Sequence, residues 1–343
     1  MGGAPHSRKR PVHGVCCKVP RSPSLPLVSA HLRIGGVAAV LLVAIGLFVG
    51  ARSHESADAR AFDGKAVRAP SSSRPCGTSR SRRAYRHVVW IVFENKQYSQ
   101  IIGSSNAPYI NSVADECGLA TNFYAEGHPS LPNYIAMTSG STQGITDDSG
   151  PSSHPLSVPS IFSQLGSGWK SLQEDMPSHC DLSNSGNYAV RHNPAAYYTN
   201  IRLRCMTQNV PLANPRRLSA RFTFVTPNLC HDMHSCSSQS DTATETKTGD
   251  TWLASFLPKL LSSAQYRAGN TVIFITWDED DYHSSQHIAT VVVAPTVRRG
   301  TKSRARFNHY SMLRTTEELL GLRRRLGEAA SAASMRKPFG LGR

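Results

Sequence analysis

Three places in this 343-residue sequence set oxygen- or nitrogen-bearing side chains directly behind apolar runs. HVVWIVF (His87–Phe93) leads straight into Glu94 and Asn95, and TVIFITW (Thr271–Trp277) into Asp278, Glu279, Asp280 and Asp281. RFTFV (Arg221–Val225) continues through Thr226, Pro227 and Asn228 to Asp232 and His234. Carboxylates, an amide and an imidazole together suit a hard or borderline cation. A dense acidic cluster in a basic protein needs a compensating charge, and a metal ion supplies it. Asp278 and Glu279 cannot both ionise at close quarters in a low-dielectric site unless they share a cation or a proton. Asp280 and Asp281 read as solvated loop residues.

The elements behind these side chains are strands that are apolar at nearly every position, adding Ile288–Ala294 (IATVVVA) to the three above. Such strands belong where both faces of a sheet are covered, in α/β layers with parallel pairing. The carboxyl ends of parallel strands open onto a ligand crevice, so the three polar exits can meet at one edge. Candidate helices lie between: Ala107–Glu116 with Pro108 in its first turn, one starting near Pro132, one capped by Asp250 and running to Leu261, and a last one from His309 or Tyr310 to Leu320.

Charge and cysteine usage bound the setting. There are 38 Lys+Arg against 23 Asp+Glu, a formal net charge of +15. Residues 1–33 carry six basic residues and no acidic one, and the apolar run Ile34–Ala51 follows. That order fits a signal core or an N-terminal membrane anchor with the remainder exported, so the expected location is secreted or extracytoplasmic. Residues 52–86 read as a flexible linker, 87–322 as one catalytic domain and 323–343 as a basic, weakly structured tail. Past the apolar run the six cysteines Cys76, Cys117, Cys180, Cys205, Cys230 and Cys236 form an even set, and export permits disulfides. Cys230 with Cys236 and Cys180 with Cys205 are natural short staples, although spacing alone leaves other pairings open. Basicity without zinc-finger spacing or an aromatic-basic ribonucleoprotein signature argues against a dedicated nucleic-acid partner.

Six segments, in order, resemble one family: VVWIVFENKQYSQIIG, GHPSLPNYIAMTSG, TPNLCHDMHSC, GDTWLASFLPKLL, VIFITWDED and NHYSMLRTTEELLGL. They are similar to the bacterial phosphoesterases that include secreted acid phosphatases and phospholipases C, within the alkaline-phosphatase-like superfamily. The short members most like this chain are actinobacterial acid phosphatases, some of them phosphatidylinositol 3-phosphate phosphatases. The resemblance implies a three-layer α/β fold with a mostly parallel central sheet. It implies a divalent metal, whether calcium, magnesium, manganese, zinc or iron, held by Glu94, Asn95, Asp232, Asp278, Glu279 and His309. It makes Ser130 the nucleophile at the positive end of a helix. Asn133 would donate to phosphate, His128 would line the pocket or donate to phosphate, and His234 and His287 would serve as ligands, phosphate donors or general acids. Lys96 stands where relatives often carry histidine and places a cation next to Glu94 and Asn95.

The activity this implies is hydrolysis of a phosphate monoester through a phosphoserine intermediate, with a phosphoinositide headgroup as one substrate and an anionic membrane surface as a partner. Two alternatives share the pattern. One is a phospholipase C acting on diesters. The other is a non-catalytic protein that binds anionic lipid or wall polymer through its basic flanks.

Overall fold

The computed structural model describes residues 74–79, 84–213, 219–236, 240–283 and 285–342. The basic N-terminal region, the Ile34–Ala51 run and most of the expected linker lie outside these residues. The transmembrane expectation is corrected for the described residues alone, where no helix is long and apolar enough to cross a membrane.

Nine strands form one mixed sheet: β1 His87–Phe93, β2 Gly118–Tyr124, β3 Trp169–Gln173, β4 Asn209–Pro211, β5 Phe222–Thr226, β6 Thr271–Trp277, β7 His287–Val293, β8 Thr301–Ser303 and β9 Phe307–Asn308. Their order is β4-β3-β5-β1-β6-β7-β2-β8, with β9 continuing alongside β2. Pairing is parallel from β4 through to β6 and from β2 to β8 and β9; only β7 runs against its neighbours. Two antiparallel steps restore direction, so β2 exits at the same edge as β1, β5 and β6.

The strands read from continuous apolar runs are present within a residue of their expected ends. Of the remaining five, β2 carries the polar pair Thr121-Asn122 in mid-strand and the others are shorter runs with polar residues, so tertiary pairing rather than composition defines them.

Helices cover both faces, as alternate residues of β1 show. Trp90 donates from its indole N–H to Thr316 Oγ1, on the helix His309–Leu319, at 3.0 Å. Phe93 points the other way, edge-on to Trp252 of the helix Thr242–Leu261. Three layers are what two apolar sheet faces require.

Asp250 departs from expectation. It lies inside Thr242–Leu261, which Asp241 caps, and its carboxylate accepts from the N–H groups of Tyr109 and Ile110 at 3.1 and 2.8 Å. It therefore satisfies the orphan donors of a neighbouring helix, Pro108–Glu116.

The disulfides are Cys76–Cys117, Cys180–Cys205 and Cys230–Cys236. The C-terminal segment also differs from its reading as weakly structured: Leu326, Ala329, Met335, Phe339 and Leu341 are buried. Phe339 packs so closely on Gly118 that a Cβ there would lie 2.6 Å from its ring, which explains a glycine at the start of β2.

Candidate active site

Register decides which polar residues meet. β1 and β6 pair with Phe93 opposite Trp277, so Glu94-Asn95 and Asp278 leave the sheet side by side. The Asn95 N–H donates to Asp278 Oδ1 at 3.2 Å, and the Glu94 N–H to the Asp232 carbonyl at 2.7 Å. The loop after β5 is thereby tied to the end of β1. β2 leads into the loop 125–129 and then the helix Ser130–Ser139, every residue of which is buried. Ser130 opens that helix and donates from Oγ to Glu94 Oε2 at 2.9 Å, while the Tyr134 hydroxyl donates to the other Glu94 oxygen.

His192 completes the cluster. It ends a single 3₁₀ turn, Val190–His192, and its ring stacks on Tyr134 with centroids 5.4 Å apart. Its Nδ1 is 3.1 Å from Asp232 Oδ2 and its Nε2 3.2 Å from Glu94 Oε2. Glu94, His192 and Asp232 are all buried, and their candidate ligand atoms lie within 4.8 Å of one another.

The donors fit a divalent cation. His309 Nε2 sits 2.7 Å from the Asp278 carbonyl, which only accepts, so the proton is on Nε2 and Nδ1 keeps its lone pair. That Nδ1 is buried without a hydrogen-bond partner, as are Asp278 Oδ2, Asn95 Oδ1 and His192 Nε2. Buried acceptors left bare are costly unless something electropositive joins them. Each histidine is fixed through one nitrogen and presents the other, the usual arrangement of a metal-ligating imidazole.

Electrostatics point the same way. Burial and the charges of Asp278 and Asp232 push the Glu94 carboxyl well above its ordinary range, and Asp232 rises mainly through burial. Asp278 is raised to about 6 by burial, with the nearby Ser130 hydroxyl and the hydrogen bond from the Asn95 N–H opposing the rise. Glu279 rises to about 10 through burial and the Asp278 charge. Burial lowers His309 to about 4 and also depresses His192. Without a counter-charge the carboxyls hold protons and the imidazoles stay neutral; a bound cation displaces the former and uses the latter's lone pairs.

Other expected residues occupy different roles. Asn133 donates to the Gly127 and Pro129 carbonyls and to Glu279 Oε2, and accepts from the Glu126 and Gly127 N–H groups. Its amide is consumed in shaping the loop before Ser130, which corrects its reading as a phosphate donor. His128 lies 3.1 Å from Glu279 Oε2 and 2.9 Å from Asp280 Oδ1, stacked on Tyr282. Asp280 is accordingly buried, not solvated. His287 is stacked on Tyr98 and Tyr124, with Nε2 3.1 Å from the Thr121 carbonyl, and has no contact with the cluster among the described ones. It begins the antiparallel strand, so it reaches the correct edge but packs sideways. Lys96 is buried: its Nζ donates to the Met233 carbonyl at 2.6 Å and pairs with Glu245 at 3.0 Å, so the cation expected beside Glu94 and Asn95 serves as a brace for the Asp232 loop.

The cation that does face the cluster is Arg191. Its Nη2 is 3.3 Å from His234 Nε2 and its Nε 3.8 Å from Asp148 Oδ2. Burial and the Arg191 charge lower His234 to about 4. Neither Arg191 nor His192 stood out in the sequence, where the only cue was the polar pair preceding Asn193-Pro194.

Residues 104–323 match the phosphoesterase family. The chain belongs to that family. It is 33% identical over 244 residues to a phosphatidylinositol-3-phosphatase of Mycobacterium tuberculosis, covering 69% of this chain and 78% of that one. It is 29% identical over 258 residues to an acid phosphatase of Aspergillus fumigatus, covering 68% of this chain but only 54% of the fungal one. Among solved structures, an alkaline phosphatase superfamily protein from Vibrio parahaemolyticus superimposes with a TM-score of 0.51 at 14% identity, covering 76% and 72% of the two chains. The lipoteichoic acid synthase LtaP of Listeria monocytogenes gives a TM-score of 0.51 at 12% identity over 73% and 77%. Those two likenesses concern the fold. As a phosphoesterase this chain is a hydrolase with a buried site suited to a divalent metal.

Proposed function

We propose that the phosphoesterase is an exported acid phosphatase that hydrolyses phosphate monoesters through a phosphoserine at Ser130. The observation that carries this reading is the 2.9 Å hydrogen bond from Ser130 Oγ to Glu94 Oε2, at the first residue of a buried helix and beside the Glu94–His192–Asp232 cluster. A serine hydroxyl is a weak nucleophile until its proton has somewhere to go and its developing charge is met. Glu94 Oε2 is the acceptor already in place for that proton.

Glu94, His192 and Asp232 would hold the metal, with Asp278, His309 and Asn95 offering further donors; bound there, it supplies Lewis-acid stabilisation of the oxyanion. The imidazoles among these donors favour a transition ion over calcium or magnesium. Oγ attacks phosphorus as the ester oxygen departs, forming the Ser–O–P bond and releasing an alcohol. His128, two residues before Ser130 and held by Glu279 and Asp280, is the donor assigned to the leaving oxygen. Water then cleaves the phosphoserine and returns the hydroxyl.

The names of the Mycobacterium and Aspergillus relatives support a monoester substrate, and the former supports a phosphoinositide headgroup. Three disulfides support an extracytoplasmic location. Ser130→Ala should lower kcat on p-nitrophenyl phosphate by about a thousandfold or more while metal content and Tm hold. Acid quenching of the wild-type chain during turnover should trap phosphoserine at residue 130. Retained turnover in Ser130→Ala overturns the assignment, and phosphate release from phosphatidylinositol 3-phosphate vesicles tests the substrate.

A further inference from the structure

We infer that the Asp148 carboxylate is a resident occupant of the place where two phosphoryl oxygens bind, and that substrate phosphate must displace it. The inference rests on the proposed placement of the phosphoryl group at Ser130. Asp148 Oδ1 accepts from the Leu131 N–H at 2.9 Å, and Oδ2 lies 3.8 Å from Arg191 Nε. Leu131 directly follows Ser130, so its N–H is one of the free donors at the start of the helix Ser130–Ser139. The preceding Pro129 provides no side-chain cap. One carboxylate thus spreads its two oxygens over a guanidinium and the N–H of the residue that follows the nucleophile. Those donor types are the ones that recognise a phosphoryl group.

A helix cap supplied from a distant loop would account for the Leu131 contact alone. It would not call for the second oxygen to face Arg191, which also lies 3.3 Å from His234, next to the carboxylate cluster. The loop is anchored on both sides of Asp148: Asp147 Oδ1 is 2.7 Å from His154 Nε2, and the Tyr197 hydroxyl donates to the Ser149 carbonyl at 3.1 Å. The Asp148 side chain is 37% exposed and can turn into solvent without the loop moving. Arg191 and the Leu131 N–H are then released to the incoming dianion. A site whose competent form is only partly populated binds its ligand more weakly by that fraction. Asp148 therefore sets phosphate affinity from within the chain and limits inhibition by the phosphate product.

The test is calorimetric titration of inorganic phosphate into the metal-loaded full chain. Asp148→Asn removes the charge and keeps an oxygen for Leu131, whereas Asp148→Ala opens the donor entirely. Both should bind phosphate about tenfold more tightly than the wild type, and Arg191→Met should bind it at least about tenfold more weakly. If Asp148→Ala loses its fold, Asp148→Asn decides. Unchanged or weaker phosphate binding in a folded Asp148→Asn chain overturns the inference and leaves Asp148 as a helix cap. Unchanged binding in Arg191→Met overturns the cradle. Binding needs no turnover, so these results stand apart from the Ser130→Ala assay, in which only the nucleophile is at stake.

Discussion

Ser130 Oγ and Glu94 Oε2 are joined by a 2.9 Å hydrogen bond, and that same Glu94 oxygen lies 3.2 Å from His192 Nε2. One carboxylate oxygen therefore faces both the hydroxyl and the imidazole. Glu94→Gln keeps the shape and removes the charge. Metal content, read by mass spectrometry, should fall together with a drop in kcat of about a thousandfold or more. The metal-free variant should be at least as heat-stable as metal-free wild type, and increasingly so as pH rises, because a neutral amide replaces a carboxyl whose ionised form is buried among like charges.

His192→Ala should weaken metal binding by about a hundredfold or more, since it removes a ligand and not merely its support. Competition with a chelator of known affinity measures this directly. Undiminished metal affinity in a folded variant would exclude His192 from the ligand set.

Metal binding should expel protons. Glu94, Asp232 and Asp278 all have folded-state values raised above the ordinary carboxyl range, Asp278 to about 6. Their contribution to the stability of the metal-free fold is thus complete below about pH 4 and is lost as pH rises through the raised values. Between pH 5 and 7 the metal-free Tm should fall, and the metal-loaded Tm should change less. Calorimetry near pH 6 in buffers of different ionisation enthalpy should give a binding heat that varies with the buffer.

Glu317, fully buried on the helix His309–Leu319, is raised to about 7 by burial while it accepts from the Leu326 N–H. A carboxyl raised in the folded state favours folding at pH below its unfolded value and loses that contribution as pH climbs through 7. Glu317→Gln should stabilise the chain at pH 8 by up to about 3 kcal/mol and give no gain near pH 4. Denaturant titrations at the two pH values provide the check.

Gly249 passes under the Asp232 loop, where a Cβ would lie 2.4 Å from Met233 Cγ and 3.0 Å from the His231 carbonyl. Met233 itself is held at φ 78° with its carbonyl on Lys96. Gly249→Ala must push this loop outward. It should cost about 1–3 kcal/mol and lower metal affinity, measured by thermal melts with and without metal.

Much of this architecture was legible in the residues. Strands apolar at every position announced a covered sheet, and polar residues immediately after them announced its functional edge. Glu94, Asp232 and Asp278 do gather there because β1 and β6 pair in register and the β5 loop closes on Glu94. His192 escaped notice because a single 3₁₀ turn has no periodicity, and its position comes from stacking on Tyr134, distant in sequence. Lys96, Asn133 and His287 carry the right chemistry near the right edge, but their hydrogen bonds and stacking are spent on loops and strands. Residue type and strand position give the inventory of a site; orientation comes from packing.

The family match stops at residue 323, yet Met335, Phe339 and Leu341 lie in the interior, with Phe339 pressed on Gly118. Trimming an expression clone at that alignment limit would unroof the first residues of β2, the strand that leads to Ser130. The closing stretch is better regarded as a plug than as a trailer, and purification tags belong beyond it.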